Sequence, residues 1–396
     1  MTEPLRLSLV STYPPMPCGI GVYSQKLLRA VVAGDAGIAA RVVAEAPTAA
    51  SSEPGIDVRP VYGRRGDYRA KILEAVAEDR AQVVHFQHAP DLLGCDARLP
   101  SLLEELGRRG VRTVVTLHTV YDDGALQRLA PGMGPARFHR ALGEAADRLI
   151  VHHRNGMADL LVAHGVPEAK IRVIPHGTEL VPPRDPAESR RALGLPEEGV
   201  YFTFFGFIHV QKNVHTALAA FARIARRAES AHLLIAGKPF RDRPHNRAYL
   251  ALMKARCAVA GLGRRVHFMD GYVPSELVPA VFGASDVLLL PHCQSYGSAS
   301  GVFHQAIGAQ KPIIVARGPK FEDGLKRLAA LPLLTPPPRS ARRWAEAMLA
   351  LSRDEGLRAT ARTILSEYAA ETAWPNVAAA TRGVYGELCD GASKSR

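Results

Sequence analysis

Short apolar runs alternate with helical periods along most of the chain. Residues 5–10 read as a strand, and from 22 to 32 apolar positions return every three or four residues, as on one face of a helix. Strand candidates follow at 41–44 and 58–61, then a helix at 67–78, a strand at 82–87 and a helix at 99–109. The pattern continues with a strand at 111–117, a helix at 137–146, a strand at 148–151, a helix at 156–164 and a strand at 171–174. Strands and helices at this spacing predict a parallel sheet covered on both faces. Right-handed crossovers then put every strand's C-terminal end on one edge, where ligands bind. Residues 181–199 carry Pro, Gly and charge and read as a linker with a short helix. A second alternating unit places strands at 201–205, 232–236, 266–268, 287–290, 313–315 and 333–334. A helix begins near Ala341, and the last, at about 376–388, follows a break at Trp374-Pro375. The class is α/β, in two doubly wound halves.

One stretch organises the second half. Residues 286–316 read as strand, long loop, short helix and strand. Small residues from Ser298 to Gly301 stand where the helix starts, and Val302, Phe303, Ala306 and Ile307 share one face. The backbone N–H groups of Ser300, Gly301 and Val302 would point out of that start, and with the helix dipole they offer a seat for phosphate.

A chain of 396 residues exceeds one core, which supports two domains. The formal charge of +12 favours anionic substrates or an anionic membrane face, and peripheral membrane contact stays open. The excess is arginine spread over many helices, with no basic run interleaved with aromatics, which argues against nucleic acid. Five cysteines without paired spacing argue against a disulfide framework or a zinc site. With no apolar span and no leader pattern, the expected location is the cytoplasm. No cofactor and no metal are expected.

Three features fall at or just after strand ends. Gly19 and Gly21 follow the first strand and suit a tight turn with close ligand approach. Histidines cluster in the first half at positions 85, 88, 118, 152, 153 and 176, and His118 directly ends its strand. His118 therefore reads as functional, and His85 as structural. Gly206 lets the chain turn near a ligand, while Lys212 can bring a point charge to a diphosphate.

Together these residues resemble the retaining nucleotide-sugar glycosyltransferases of family 4. The likeness runs from the Gly19–Ser24 loop through His118, the Ile-Pro-His-Gly at 174–177 and the stretch 206–213. It continues through 235–237, 270–273 and 300–314 to a Trp374-containing tail. The resemblance implies the GT-B fold, two Rossmann-like domains facing a cleft. Expected bounds are 1–180 for acceptor binding, 181–199 for the linker and 200–373 for the nucleotide sugar, with 374–396 a helix crossing back to the first domain. It implies His118 near the donor sugar, Lys212 on the diphosphate, and Gly19, Gly21, Gly206, Gly301 and Val302 around the phosphates. Tyr272 and Val273 would flank the base. The partners would be a nucleoside diphosphate sugar and a small or lipid-linked acceptor, the latter read by loops at 89–99 and 121–135. No side-chain base and no metal would be needed.

The chain departs from the family pattern at the site. The two glutamates usual in the family fall on Gly297 and Gln305. Gln305 keeps hydrogen-bonding capacity without charge, and Gln294 or Ser298 stands near enough in sequence to fill the gap at 297. The usual arginine is absent, with Phe207 after Gly206 and His209 at the other position. A nucleotide-sugar epimerase, a phosphorylase, or a degenerate partner protein on the same fold remain open alternatives.

Overall fold

Strand β1 (Leu5–Ser11) buries five consecutive residues, Leu7 to Ser11, so both its faces are covered. The computed structural model describes residues 4–64, 66–122, 133–294 and 296–393. Most of the expected acceptor loop at 121–135, namely 123–132, lies outside them. Contacts divide the chain into two units, one of residues 1–177, 296–301 and 372–396, the other of 178–295 and 302–371.

In the first unit β1 is followed by α1 (Gly19–Ala33), β2 (Ile38–Glu45), β3 (Ser51–Glu53), β4 (Ile56–Tyr62) and α2 (Arg69–Glu78). Then come β5 (Val83–His88), α3 (Arg98–Arg108), β6 (Arg112–Leu117), α4 (Pro135–Ala145), β7 (Arg148–Val151) and β8 (Ile171–Val173). The eight strands run in the order β3-β4-β2-β1-β5-β6-β7-β8. Only the short β3 is antiparallel, paired with β4. Helix α3 shows how the pattern works, since Leu99, Leu102, Leu103 and Leu106 form its buried stripe.

Two expectations shift here. Gly19 and Gly21 lie in the first turn of α1 itself, not in a loop before it. The Trp374-Pro375 pair opens the C-terminal helix (Trp374–Ser393) instead of preceding it. A proline in the first turn needs no partner for its missing N–H. This helix buries Val377, Ala378, Val384, Tyr385 and Leu388 in the same core as Leu27, Leu28 and Val83. Burying each of the larger of these side chains contributes roughly 1.5–3 kcal/mol. Trp374 is wedged between Tyr23 and His176, with ring centroids 5.3 and 5.9 Å away.

The second unit begins with α5 (Pro186–Ala192), capped by the Asp185 side chain accepting from the Glu188 N–H. Its strands are β9 (Val200–Phe205), β10 (Ala231–Ala236), β11 (Val266–Met269), β12 (Val287–Leu290) and β13 (Ile313–Val315). All are parallel, in the order β11-β10-β9-β12-β13. Helices α6 (Val214–Ile224), α7 (Gly301–Gly308) and α8 (Ala341–Arg353) complete the parts used below. The strand expected at 333–334 is a single 3-10 turn, Pro332–Leu334. Prolines 336–338 follow it, and residues that cannot donate to a ladder do not extend a sheet.

Gly177 packs so closely on Trp374 that an added Cβ would stand 2.2 Å from its ring. Gly177→Ala is expected to lower stability by about 1–3 kcal/mol through overpacking. Gly19→Ala, whose Cβ meets nothing within 4 Å, should leave it within about 0.5 kcal/mol. Urea unfolding of the two variants checks both.

Candidate functional site

In the first unit the chemistry gathers at the C-terminal ends of β5, β6 and β7. His118 directly follows β6, and its backbone N–H donates to the His88 carbonyl across the strand pair (3.0 Å). Its Nε2 lies 2.8 Å from the Gln87 amide and its Nδ1 3.2 Å from His152 Nε2. Tyr23 of α1 stands edge-on to its ring at 4.7 Å. Burial holds His118 well below the usual histidine range, helped by the repulsion of His152, His176, His85 and His88. His85 and His152 are pushed down to about 3 by burial, and His88 to about 4. His85, His88, His118 and His152 are therefore neutral at physiological pH.

His85 is structural, as its sequence position suggests. It is fully buried, with Tyr385 of the C-terminal helix 2.7 Å from Nδ1 and Thr116 2.7 Å from Nε2. His176 keeps its Nε2 3.7 Å from the position a Cβ on Gly301 would take.

The glycines of α1 separate in role. An added Cβ on Gly21 would meet Thr12 and Tyr13 backbone at 3.3 Å, which makes Gly21 a packing residue. Gly19 has open space where a Cβ would stand.

The loop before α7 belongs by its contacts to the first unit. Gly297 and Ser298 pair antiparallel with Val120 and Thr119, a two-residue ladder that the sequence pattern does not reveal. A Cβ at 297 would stand 2.0 Å from the Gly156 carbonyl oxygen. No carboxylate can therefore occupy this position without rebuilding the Arg154–Ala158 turn, where Gly156 has φ +73°. Ser298 is buried in the ladder, with its carbonyl 3.4 Å from His153 Nε2. Ser300 is buried and Gly301 exposed at the start of α7. The first N–H groups of a helix have no partners within it, so this start offers donors. Gln305, one turn further along, is half-buried.

In the second unit the loops after β9, β12 and β13 lie on adjacent strands at the C-terminal edge. Gly206 (φ +117°) and Gly237 (φ +149°) make a close crossing, since a Cβ on Gly237 would meet the Gly206 carbonyl at 1.9 Å. Val302 Cγ2 lies 3.5 Å from the Cβ position of Gly206. His209 leads into the 3-10 turn Val210–Lys212. Lys212 Nζ is 3.4 Å from His292 Nε2, and burial pushes the ammonium down to about 8. His292 follows β12 and stacks obliquely on Phe321, centroid distance 5.1 Å. Lys320 follows β13 in the turn Pro319–Phe321. Burial and the Lys212 charge hold Lys320 well below its usual range. Burial lowers His209 to about 4, and Lys212 and Lys320 add to the effect.

Lys320 and His292 are absent from the sequence-based set, because only the strand order brings their loops beside Lys212. Gln294 lies in the same loop as His292, its carbonyl 3.6 Å from the Cβ position of Gly318. Tyr272 and Val273 follow β11 at the outer end of the sheet. Tyr272 is half-exposed under the Lys238 ammonium (5.4 Å), while Val273 packs on the sheet. Among the described residues no cluster of His, Cys, Asp or Glu could hold a metal ion, and no helix is long and apolar enough to cross a membrane.

The profile of Glycosyltransferase Family 4 matches residues 17–181, and that of Glycosyl transferases group 1 matches residues 199–354. The D-inositol 3-phosphate glycosyltransferase of Salinispora arenicola is 25% identical over 406 residues, covering 93% of this chain and 87% of that protein. The enzyme of the same name from Acidothermus cellulolyticus is 30% identical over 223 residues, covering 53% of this chain and 48% of that protein. Among solved structures, sucrose-phosphate synthase of Thermosynechococcus elongatus matches with a TM-score of 0.75 at 19% identity, over 98% of this chain and 100% of the other. Anabaena HepE in complex with UDP matches at 0.69 and 14% identity, over 98% of this chain and 100% of the other. With the two profiles meeting the two α/β units in order, the chain belongs to the family 4 glycosyltransferases of GT-B fold.

Proposed function

We propose that this glycosyltransferase moves a sugar from a nucleoside diphosphate sugar to a hydroxyl acceptor with retention of anomeric configuration. The observation that carries the reading is the convergence of Lys212, Lys320, His209 and His292 at the ends of three neighbouring strands. Basic groups at such an edge, beside backbone donors at a helix start, suit a diphosphate. Structural neighbours in complex with UDP and UDP-glucose support a uridine nucleotide.

In the reaction the bond from the sugar C1 to the diphosphate oxygen breaks, and a bond from C1 to the acceptor oxygen forms on the same face. The acceptor proton passes to the departing phosphate oxygen, so no side-chain base is required. Lys212 and Lys320 stabilise the charge that develops on the leaving group. The Gly301 and Val302 N–H groups would contribute in the same sense, and Gly19 leaves room for the ligand to approach. Gln305 would meet ribose hydroxyls as a neutral group, and His118 the sugar. Tyr272 and Val273 would bound the base. The proposal covers an acceptor that is small or lipid-linked. An anionic one suits the chain's +12 charge and the inositol 3-phosphate for which the related enzymes are named.

Desolvation of Lys212 carries a stability cost that the diphosphate would relieve. Its ammonium loses a proton near pH 8 when folded but near 10.5 in a solvated chain. The unfolded chain thus binds more protons between those values, and stability from this group rises with pH there. Lys212→Met is expected to raise the thermal midpoint below about pH 8, with the gap to wild type closing as pH rises. Midpoints that respond to pH in parallel for the two proteins would contradict the depressed lysine.

His118→Ala and Lys212→Ala should each lower turnover by roughly a hundredfold or more while far-UV circular dichroism stays unchanged. Unchanged turnover in both would sink the transfer reading. Turnover of the donor without acceptor would indicate an epimerase, transfer to inorganic phosphate a phosphorylase, and no nucleotide binding at all a partner protein.

A further inference from the structure

The hydrogen bonds around His118 can be resolved from one end. The Ile174 carbonyl can only accept, so His152 Nδ1, 3.1 Å away, carries a proton. His152 is buried, and the charged forms acting on it are other histidines, so it is neutral and its Nε2 is bare. That bare nitrogen faces His118 Nδ1 at 3.2 Å, which must therefore donate. A neutral His118 protonated at Nδ1 has a bare Nε2. The Gln87 amide lies 2.8 Å from it and must present its NH2 there. Oxygen and nitrogen of an amide exchange by a half-turn, so the network decides the orientation.

The rest of the chain then closes. With its nitrogen toward His118, the amide turns its oxygen to His85 Nε2, 3.2 Å away, where Thr116 Oγ1 also lies at 2.7 Å. His85 carries its proton there and accepts at Nδ1 from the Tyr385 hydroxyl, 2.7 Å away. The opposite amide orientation would need a proton on His118 Nε2. His118 or His152 would then hold two protons, or two bare nitrogens would face each other. Either outcome is costly at a buried site.

We infer that Gln87 and His152 are positioning residues that hold His118 as the neutral imidazole with its proton on Nδ1, leaving Nε2 to meet substrate as a hydrogen-bond acceptor. Both ring nitrogens are engaged in the free protein, so the Gln87 amide N–H occupies the place of a substrate hydroxyl. A sugar hydroxyl takes over by displacing that amide. Among the described residues, the titratable groups facing His118 are Tyr23 of α1, His85 and His88 of β5, His152 after β7 and His176 after β8. The tautomer assignment stands on the first unit alone, and only the hydroxyl it receives rests on the proposed transfer.

The test begins with the full chain labelled with nitrogen-15 histidine. Long-range proton–nitrogen correlation at about pH 7 reads which ring nitrogen carries the proton, with His118 identified by the signal lost in His118→Asn. The expected result is Nδ1–H at His118 and at His152. A proton on Nε2 of His118, or on both nitrogens, overturns the assignment even if the enzyme transfers sugar. The second arm is the pH profile of kcat/KM. Gln87→Glu presents only acceptors and would draw a proton onto His118 Nε2, moving the acid limb up by about one pH unit or more. Gln87→Met, which cannot accept as a carboxylate does, should leave the acid limb in place. An unmoved limb in Gln87→Glu overturns the positioning role. The expected tautomer with no transfer activity would fail the proposed function and leave the assignment standing.

Discussion

The constraint on which the second unit turns is the gathering of basic side chains at low solvent access. Burial lowers the proton affinity of Lys212, Lys320, His209 and His292; the Lys212 charge adds to the effect on the other three, and Lys320 to that on both histidines. A fold tolerates such a cluster when an anion is to be bound, because the ligand's charge relieves both repulsion and desolvation. The sheet makes the cluster possible. Three separate loops meet only because β9, β12 and β13 are neighbours with all their C-terminal ends on one edge.

The first unit shows the complementary arrangement. Gln87 and His152 hold His118 by its two ring nitrogens, and burial keeps His85, His88, His118 and His152 neutral. The C-terminal helix is part of that mounting, since Tyr385 bonds His85 and Trp374 packs on Tyr23 and His176. His118 is therefore set by residues from widely separated parts of the chain, and its chemistry follows from that mounting.

Much of the fold was legible from periodicity, because strands such as β9 and β12 are buried on both faces and read as continuous apolar runs. The apolar pair Leu333-Leu334 misled, as the surrounding prolines favour a turn over a ladder. His118 and Lys212 could be found from their places at strand ends. Lys320, His292 and Gln87 could not, since their roles depend on which strands are neighbours and on hydrogen bonds across the sheet. The ladder at Gly297 was invisible for the same reason. It also explains the missing glutamate, because the Gly156 carbonyl occupies the space a side chain at 297 would need.

The central claim is that affinity for the donor resides in its diphosphate. Calorimetric titration of the full chain with UDP against uridine, and with GDP against guanosine, tests it most directly. The account predicts that in at least one pair the diphosphate binds about a hundredfold more tightly than the nucleoside, through charge-assisted hydrogen bonds to Lys212 and Lys320. Diphosphate and nucleoside bound alike in both pairs would contradict it.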